Sequence, residues 1–238
     1  MTVSFRDLRV SWLGYATVRI ESESGFVVYL DPGRYGVLDD YYARDGDLVC
    51  VTHDHHYDPD AIRSVAKEDA TVVVFEGVNP ANIDRDVEAV EDLPYEVIRV
   101  GEEEHLSVGS VDLWTLPAYN EEDSPHARDD GSLVHPRGLG CAYLLSVDGV
   151  TVFWPGDSDV LEGFERLSVD LFLANIGGSV VMDRHEAADL AEVLSPELVL
   201  PIHYDTIDLL KTDPEAFVAD VASRGIPVVL EDPADHAV

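Results

Sequence analysis

Three imidazoles fall within four consecutive positions, His53, His55 and His56, directly behind the apolar run Leu48-Val49-Cys50-Val51. Imidazole is the commonest side-chain metal ligand. In extended backbone, residues two apart project to the same side. His53 and His55 can therefore converge on one ion, while His56 faces the other way and suits a second ion or a turned backbone. With 9 histidines in 238 residues, a chance run at this position is the lesser reading. Two later positions carry matching chemistry. Asp157, in Trp154-Pro155-Gly156-Asp157-Ser158-Asp159, follows an apolar run, where a carboxylate can bridge two divalent ions. Taken alone it reads as a turn aspartate or a helix N-cap. His203, in Leu200-Pro201-Ile202-His203-Tyr204, stands at another strand end, where a single histidine is often a hydrogen-bonded core residue.

The elements that must position these residues are readable from period and punctuation. Short strands over 8–13, 16–21 and 26–30, joined by turns at Gly14 and Ser24-Gly25, form a meander. A strand over 48–52 runs into the histidines. Asp58-Pro59 then reads as an N-cap followed by proline at the first helical position, opening a helix over 59–67. Strands follow over 71–75, 96–100, 105–108 and 111–116, and then a polar stretch over 120–140 with no period, read as a functional loop. The second part repeats the rhythm, with a hairpin over 141–147 and 151–154 turning at Asp148-Gly149 and leading to Asp157. A strand over 171–174 and a helix over 183–194 come next, the helix opening on Asp183 with Glu186 three residues later in a capping-box arrangement. A strand over 198–202 delivers His203, and a helix over 214–224 and a strand over 227–230 close the series. Strands first and alternating strands and helices later predict an α/β protein. Two mixed sheets pack together with helices outside, a four-layer αββα sandwich, and residues 1–238 offer no linker at which to divide it.

Composition narrows the setting. There are 48 Asp and Glu against 15 Lys and Arg, a formal net charge of −33 spread along the chain without an acidic tail. In molar salt the screening length falls to about 3 Å, which switches off most repulsion between exposed carboxylates. A halophilic source follows; an acidic binder of basic partners would show localised blocks, which are absent from the sequence. Arg6, Asp7 and Arg9 interrupt any secretory apolar region, and no apolar run reaches the roughly 18 residues of a membrane span. The expectation is a cytoplasmic protein with no membrane partner. Cys50 and Cys141 each lie in an apolar run, and free buried thiols are favoured over a disulfide.

The order and separation of Trp12-Leu13-Gly14, Leu30-Asp31-Pro32, Thr52-His53-Asp54-His55, Pro117-Ala118-Tyr119-Asn120, Gly156-Asp157-Ser158-Asp159, Ile176-Gly177-Gly178 with Met182, and Pro201-Ile202-His203-Tyr204 form one set. It resembles the metallo-β-lactamase superfamily, and more closely its branch of metal-dependent hydrolases related to the L-ascorbate-6-phosphate lactonases, in a halophilic, haloarchaeal version. The resemblance spans nearly the whole chain. It implies that His53 and His55 bind a first metal, that Asp157 bridges and that His203 binds a second.

Departures from the family pattern are informative. Its first motif is usually His-x-His-x-Asp-His, whereas here His55 is followed by His56-Tyr57-Asp58. Either Asp58 is a displaced ligand, or two residues are deleted before His56, which then becomes the last histidine of the motif. The second repair is preferred, because capping already explains Asp58; it removes the second-site aspartate and weakens that site. Tyr15 stands where the family often has a histidine. The family takes a third histidine for the first metal from the segment between the halves. The candidates are His126 and His135, with His135 favoured because His135-Pro136-Arg137-Gly138 resembles a stretch of this branch. His105, His185 and His236 are expected to be exposed. Asp54 is read as an acid catalyst or a group supporting the ligands, equally with a solvated loop aspartate.

The expected chemistry is hydrolysis of a small substrate, a lactone, amide or phosphoester. One or two Zn²⁺ or Mn²⁺ ions would lower the pKa of bound water toward about 7 and supply hydroxide, with Asp157 holding the nucleophile. Arg137 or the amides of Gly177-Gly178 are candidates to hold an anionic group. Two rivals stand beside this: a degraded site with a non-catalytic metal- or ligand-binding role, and a nuclease. A net charge of −33 and the lack of a basic patch oppose nucleic acid as a partner.

Overall fold

The computed structural model describes residues 2–33 and 41–231. Two mixed sheets contain nearly all the strands. The first has seven, in spatial order β1 (Val3–Phe5), β2 (Leu8–Gly14), β3 (Thr17–Ser22), β4 (Val27–Leu30), β5 (Gly46–Val51), β6 (Ala66–Phe75) and β7 (Glu96–Val100). The second has six, β8 (His105–Val108), β9 (Val111–Ala118), β10 (Gly140–Val147), β11 (Val150–Trp154), β12 (Leu171–Asn175) and β13 (Leu198–Ile202), each beside its neighbour in sequence. Each sheet begins antiparallel and turns parallel, from β4 onward in the first and from β11 onward in the second. Parallel strands need crossovers and are covered on both faces, which is why β4, β12 and β13 read as unbroken apolar runs and are buried at every residue. Helix α1 (Pro59–Val65) packs on β6, while α2 (Arg184–Leu194) packs on β12 and on α3 (Pro214–Ser223). The result is the predicted sandwich of two sheets with few helices.

The two sheets share one core in which Trp12, Tyr29, Tyr57, Tyr143, Phe153, Trp154 and Phe172 are all fully buried. Polar atoms of these rings are satisfied across the layers: Tyr143 Oη donates to the Val51 carbonyl at 2.9 Å and Trp154 Nε1 donates to Asp31 Oδ2 at 2.7 Å. Cys50 and Cys141 are free and buried. Among the described residues no helix is long and apolar enough to cross a membrane.

Caps behave as the sequence predicts. Asp58 accepts from the amides of Asp60 and Ala61 with Pro59 at the first turn, and Asp183 with Glu186 completes a reciprocal capping box on α2. Three departures have a clear physical reason. Helix α1 stops at Val65 rather than continuing to 67, because Ala66 pairs with Gly46 and starts β6, a long-range pairing that overrides the helical preference of Ala-Lys-Glu. Strand β1 was not visible in the sequence; it is only three residues long and exists because the Arg6-Asp7 turn folds it onto β2. The strand predicted over 227–230 is a single bridge from Val228 to Val199, since Pro227 has no amide to extend the ladder. His236 lies outside the described residues.

Candidate metal centre

Nearly every residue of the site follows the carboxyl end of a strand: Asp31 after β4, the histidine cluster after β5, Asn120 after β9, Asp157 after β11, and His203 after β13. In mixed α/β sheets this edge is where ligands are bound. Close backbone approach brings the two sheets together there. A Cβ on Gly140 would lie 2.9 Å from the His53 Cβ, and one on Gly156, whose φ is +63°, would lie 2.8 Å from the Cys141 carbonyl.

Asp157 sits at the centre of four imidazoles. Its Oδ2 lies 3.3 Å from His135 Nε2 and 3.7 Å from His53 Nε2. Its Oδ1 lies 3.5 Å from His203 Nε2 and 3.8 Å from His56 Nε2. His55 Nδ1 approaches His135 Nε2 to 3.3 Å, and His56 Nε2 approaches His203 Nε2 to the same distance. Two sets of potential ligand atoms, those of His53, His55 and His135 and those of His53, His56 and Asp157, lie mutually within 4.8 Å. His55 is exposed at the mouth, and the other four histidines and Asp157 are buried.

Hydrogen bonds behind the rings decide which nitrogens face inward. Thr52 Oγ1 donates to Asp31 Oδ2 at 2.9 Å, so it accepts from the Nδ1–H of His53 at 2.9 Å and leaves His53 Nε2 without a proton. Asp31 Oδ2 holds His56 Nδ1 at 3.0 Å, and the Val180 carbonyl accepts from His135 Nδ1 at 3.0 Å. Each partner turns a lone pair toward Asp157. His53 Nε2 is buried without a hydrogen-bond partner, a cost of about 1–3 kcal/mol that a cation in the cluster would relieve. The donor set of imidazoles and one carboxylate suits a divalent transition ion or zinc.

Electrostatics favour the neutral imidazole at His53, His55 and His203 and the protonated one at His56. Burial, aided by the neighbouring His56, holds His53 well below the ordinary imidazole value, and burial takes His203 down to about 4. His55 is lowered by burial and by His135. Burial also pulls His56 down, but Asp31 and Asp157 outweigh it and its pKa rises. Asp157 is buried, which opposes ionisation, yet His203, His56 and His135 hold it well below the usual carboxylate range. Backbone strain collects here too. Tyr15, Asp31 and His203 have φ of 49°, 43° and 57°, conformations that cost about 1–3 kcal/mol each in non-glycine residues. The Tyr15 ring packs edge-on against His56 and tilts over His203, with centroids 5.1 and 4.6 Å apart.

The sequence-predicted residues separate clearly. His53, His55, His56, His135, Asp157 and His203 come together. His126 does not: its Nε2 meets Glu186 Oε2 at 2.7 Å, which ties the loop to the start of α2. Asp58 is also away from the cluster, capping α1 and pairing with Arg85 at 3.0 Å. Asp54 is buried rather than solvated, and both its oxygens are engaged, by the Asn79 amide at 2.5 Å and Asn82 Nδ2 at 3.0 Å. Arg137 lies over the Tyr119 ring and 3.7 Å from Glu102, outside the cavity beside the cluster. The amides of Gly177 and Gly178 are spent on Asn175 Oδ1 and the Met182 carbonyl, so they are not free to hold an anion. His105 and His185 are exposed as predicted.

Supporting residues that sequence reasoning left out are Asp31, Asn120 and Asn175. Asn120 exchanges two hydrogen bonds with His135, its amide to the carbonyl at 2.7 Å and its Oδ1 from the amide at 3.0 Å. Its Nδ2 also donates to Asp159 Oδ1 at 3.0 Å. Asn175 Nδ2 holds the Gly156 carbonyl at 3.2 Å, fixing the turn that presents Asp157. Asp31 and Asn120 stood in the motifs Leu30-Asp31-Pro32 and Pro117-Ala118-Tyr119-Asn120 without an assigned role, and the only sequence signal of Asn175 was a polar residue closing an apolar run.

The comparisons with known proteins agree with this architecture. The β-lactamase superfamily domain family matches residues 9–203. A UPF0173 metal-dependent hydrolase from Pyrococcus furiosus is 29% identical over 233 residues, covering 94% of this chain and 96% of its own. One from Methanopyrus kandleri is 28% identical over 238 residues, covering 96% and 98%. Among solved structures, Igni18, a metallo hydrolase from Ignicoccus hospitalis, superposes with a TM-score of 0.70 at 21% identity, covering 95% of both chains. The chain belongs to the β-lactamase superfamily, in its metallo-β-lactamase fold.

Proposed function

We propose that this protein is a metal-dependent hydrolase of a small substrate. The observation that carries it is Asp157, whose two oxygens each face a separate pair of imidazoles at 3.3–3.8 Å. In this reading His53, His55 and His135 would hold one ion and His56 and His203 another, with Asp157 shared between the two sets. Zn²⁺ and Mn²⁺ fit such donors. A divalent ion bound there would acidify water and polarise the attacked oxygen.

The chain's own residues do the rest. Thr52, Asp31 and the Val180 carbonyl keep protons on the outward nitrogens of His53, His56 and His135. Asp157 is held ionised by His203, His56 and His135 and would accept a hydrogen bond from the attacking water. Asp54, which lines the cavity but is anchored to Asn79 and Asn82, acts by positioning the loop between His53 and His55, not as an acid. The cavity of about 430 Å³ admits a small molecule such as a lactone or phosphoester and suits the lactonase-like branch named above. A net charge of −33 speaks for a halophilic setting and against nucleic acid.

Metal analysis tests this directly. Purified protein is expected to retain stoichiometric metal that a His53→Ala/His203→Ala double variant loses, and to cleave members of a panel of lactones and phosphodiesters with added Zn²⁺ or Mn²⁺. Bound metal without cleavage would favour the non-catalytic role suggested by the missing second-site aspartate. Failure to bind metal under any condition would sink the proposal.

A further inference from the structure

The cavity beside the cluster has a second chemical character that the metal reading leaves unused. Basic residues are scarce, 15 against 48 acidic, and many are committed to carboxylates. Arg85 lies on the cavity wall but holds Asp58 at 3.0 Å and donates to the Tyr57 carbonyl at 2.9 Å. Arg128 lines the same cavity and makes no ion pair within 4.0 Å among the described residues. Its guanidinium reaches only Ser132 Oγ and the Leu133 carbonyl, at the long distances of 3.4 and 3.5 Å. Asp130 is the carboxylate that feels its charge, but Asp130 accepts from the Ser132 amide and hydroxyl and forms no ion pair with Arg128, so the guanidinium remains a forked donor in reserve in a chain of net charge −33. The Arg128 side chain is exposed, but its backbone is tied down: the Arg128 amide donates to the Ser132 carbonyl at 2.9 Å, and His126, two residues earlier, is anchored to Glu186. Opposite in character, Ile83, Val134, Ile207 and Leu209 also line the cavity, and Leu209 leaves 52% of its surface in solvent. The lining also includes the carboxylates of Asp54 and Asp157, both already engaged, and of the exposed Asp84, so an amphipathic anion is suited to the part of the wall formed by Arg128 and the apolar side chains.

We propose that the site takes a small amphipathic anion whose carboxylate or phosphate sits on Arg128 and whose apolar body lies along Ile83, Val134, Ile207 and Leu209. Arg128 is then the residue that determines specificity. One loop, between β9 and β10, supplies both His135 to the metal cluster and Arg128 to the substrate's charged end. The proposal deepens the hydrolase reading and rests on it for the reacting end of the substrate, but not for binding of the anion.

Isothermal titration of metal-loaded protein with 4-phenylbutyrate, 4-phenylbutyl phosphate and 4-phenylbutanol tests the clamp without requiring turnover. The wild type is expected to bind at least one anion more tightly than the alcohol, and which anion wins separates a carboxylate from a phosphate preference. Arg128→Gln is expected to weaken the preferred anion about ten-fold or more while changing the alcohol by less than about two-fold. R128K should recover part of the loss for phosphate and less for carboxylate, where the planar fork matters. Unchanged metal content in both variants shows that the cluster is intact. Equal anion affinity in wild type and R128Q, or no binding of any of the three, overturns the proposal. Turnover of neutral 4-nitrophenyl butyrate by the wild type is read separately: its absence with the Arg128 effect intact counts against the hydrolase reading alone.

Discussion

Asp31 and His56 form a fully buried pair, Oδ2 to Nδ1 at 3.0 Å, although one closes β4 and the other lies in the turn after β5. The Asp31 carboxylate also accepts from the Thr52 amide and hydroxyl and from Trp154 Nε1. It thereby links the histidine turn of one sheet to the strand of the other that leads to Asp157. Asp31→Asn keeps the shape and removes the charge that orients His56. The expected outcome is a protein that still binds one ion through His53, His55 and His135 but loses affinity for the second by about 10–100-fold. Zinc titration against a chelating indicator measures this, and equal loss at both sites would show that Asp31 acts on the whole cluster.

His135 and His126, nine positions apart, are expected to behave oppositely. His135→Ala should lower bound metal, whereas His126→Ala should leave it unchanged and destabilise the fold by about 1 kcal/mol, discounted because Glu186 is partly exposed. Glu186 raises the His126 pKa. A raised pKa means that the pair's contribution is complete below the ordinary value of 6.5 and is lost as pH climbs through the raised one. Urea melts of wild type and His126→Ala should therefore differ most in mildly acidic buffer and converge in alkaline buffer.

Glu231 gives a slope of the same sign at lower pH. Its side chain is buried, accepts from the Trp12 amide at 2.8 Å and leaves Oε1 without a partner. Burial raises its pKa above 4.5, so the fold favours the protonated carboxyl, and stability falls as pH rises from 4.5 through the raised value. Glu231→Gln is expected to remove this fall while keeping an acceptor for Trp12. Thermal melts across the mildly acidic range check it; parallel curves for the two proteins would show that the carboxyl is not protonated on folding.

A net charge of −33 makes stability depend on salt. Transfer from about 0.1 M to about 2 M KCl should raise the melting temperature by roughly 10 °C or more, since the screening length shortens from about 10 Å to a few ångströms. A melting temperature indifferent to salt would argue against the halophilic setting.

Sequence alone determined the alternation of strands and helices, the caps at Asp58 and Asp183, and the cluster His53, His55 and His56, because period, capping and adjacency are local properties of a chain. It also ordered the pieces well enough to place Asp157 and His203 at strand ends. It favoured His135 over His126 only by the resemblance of His135-Pro136-Arg137-Gly138, since the loop that carries them has no period and its path is set by contacts with Asn120, Val180 and Glu186, each many residues away. Nor could it separate the roles of Asp31 and Asp54, two carboxylates that look alike until the sheets close. Tertiary packing decided those roles. It buried Asp31 among four donors that include His56, and tied Asp54 to Asn79 and Asn82. A carboxylate's function follows from the donors that meet it, and those donors come from strands that only the folded sandwich brings together.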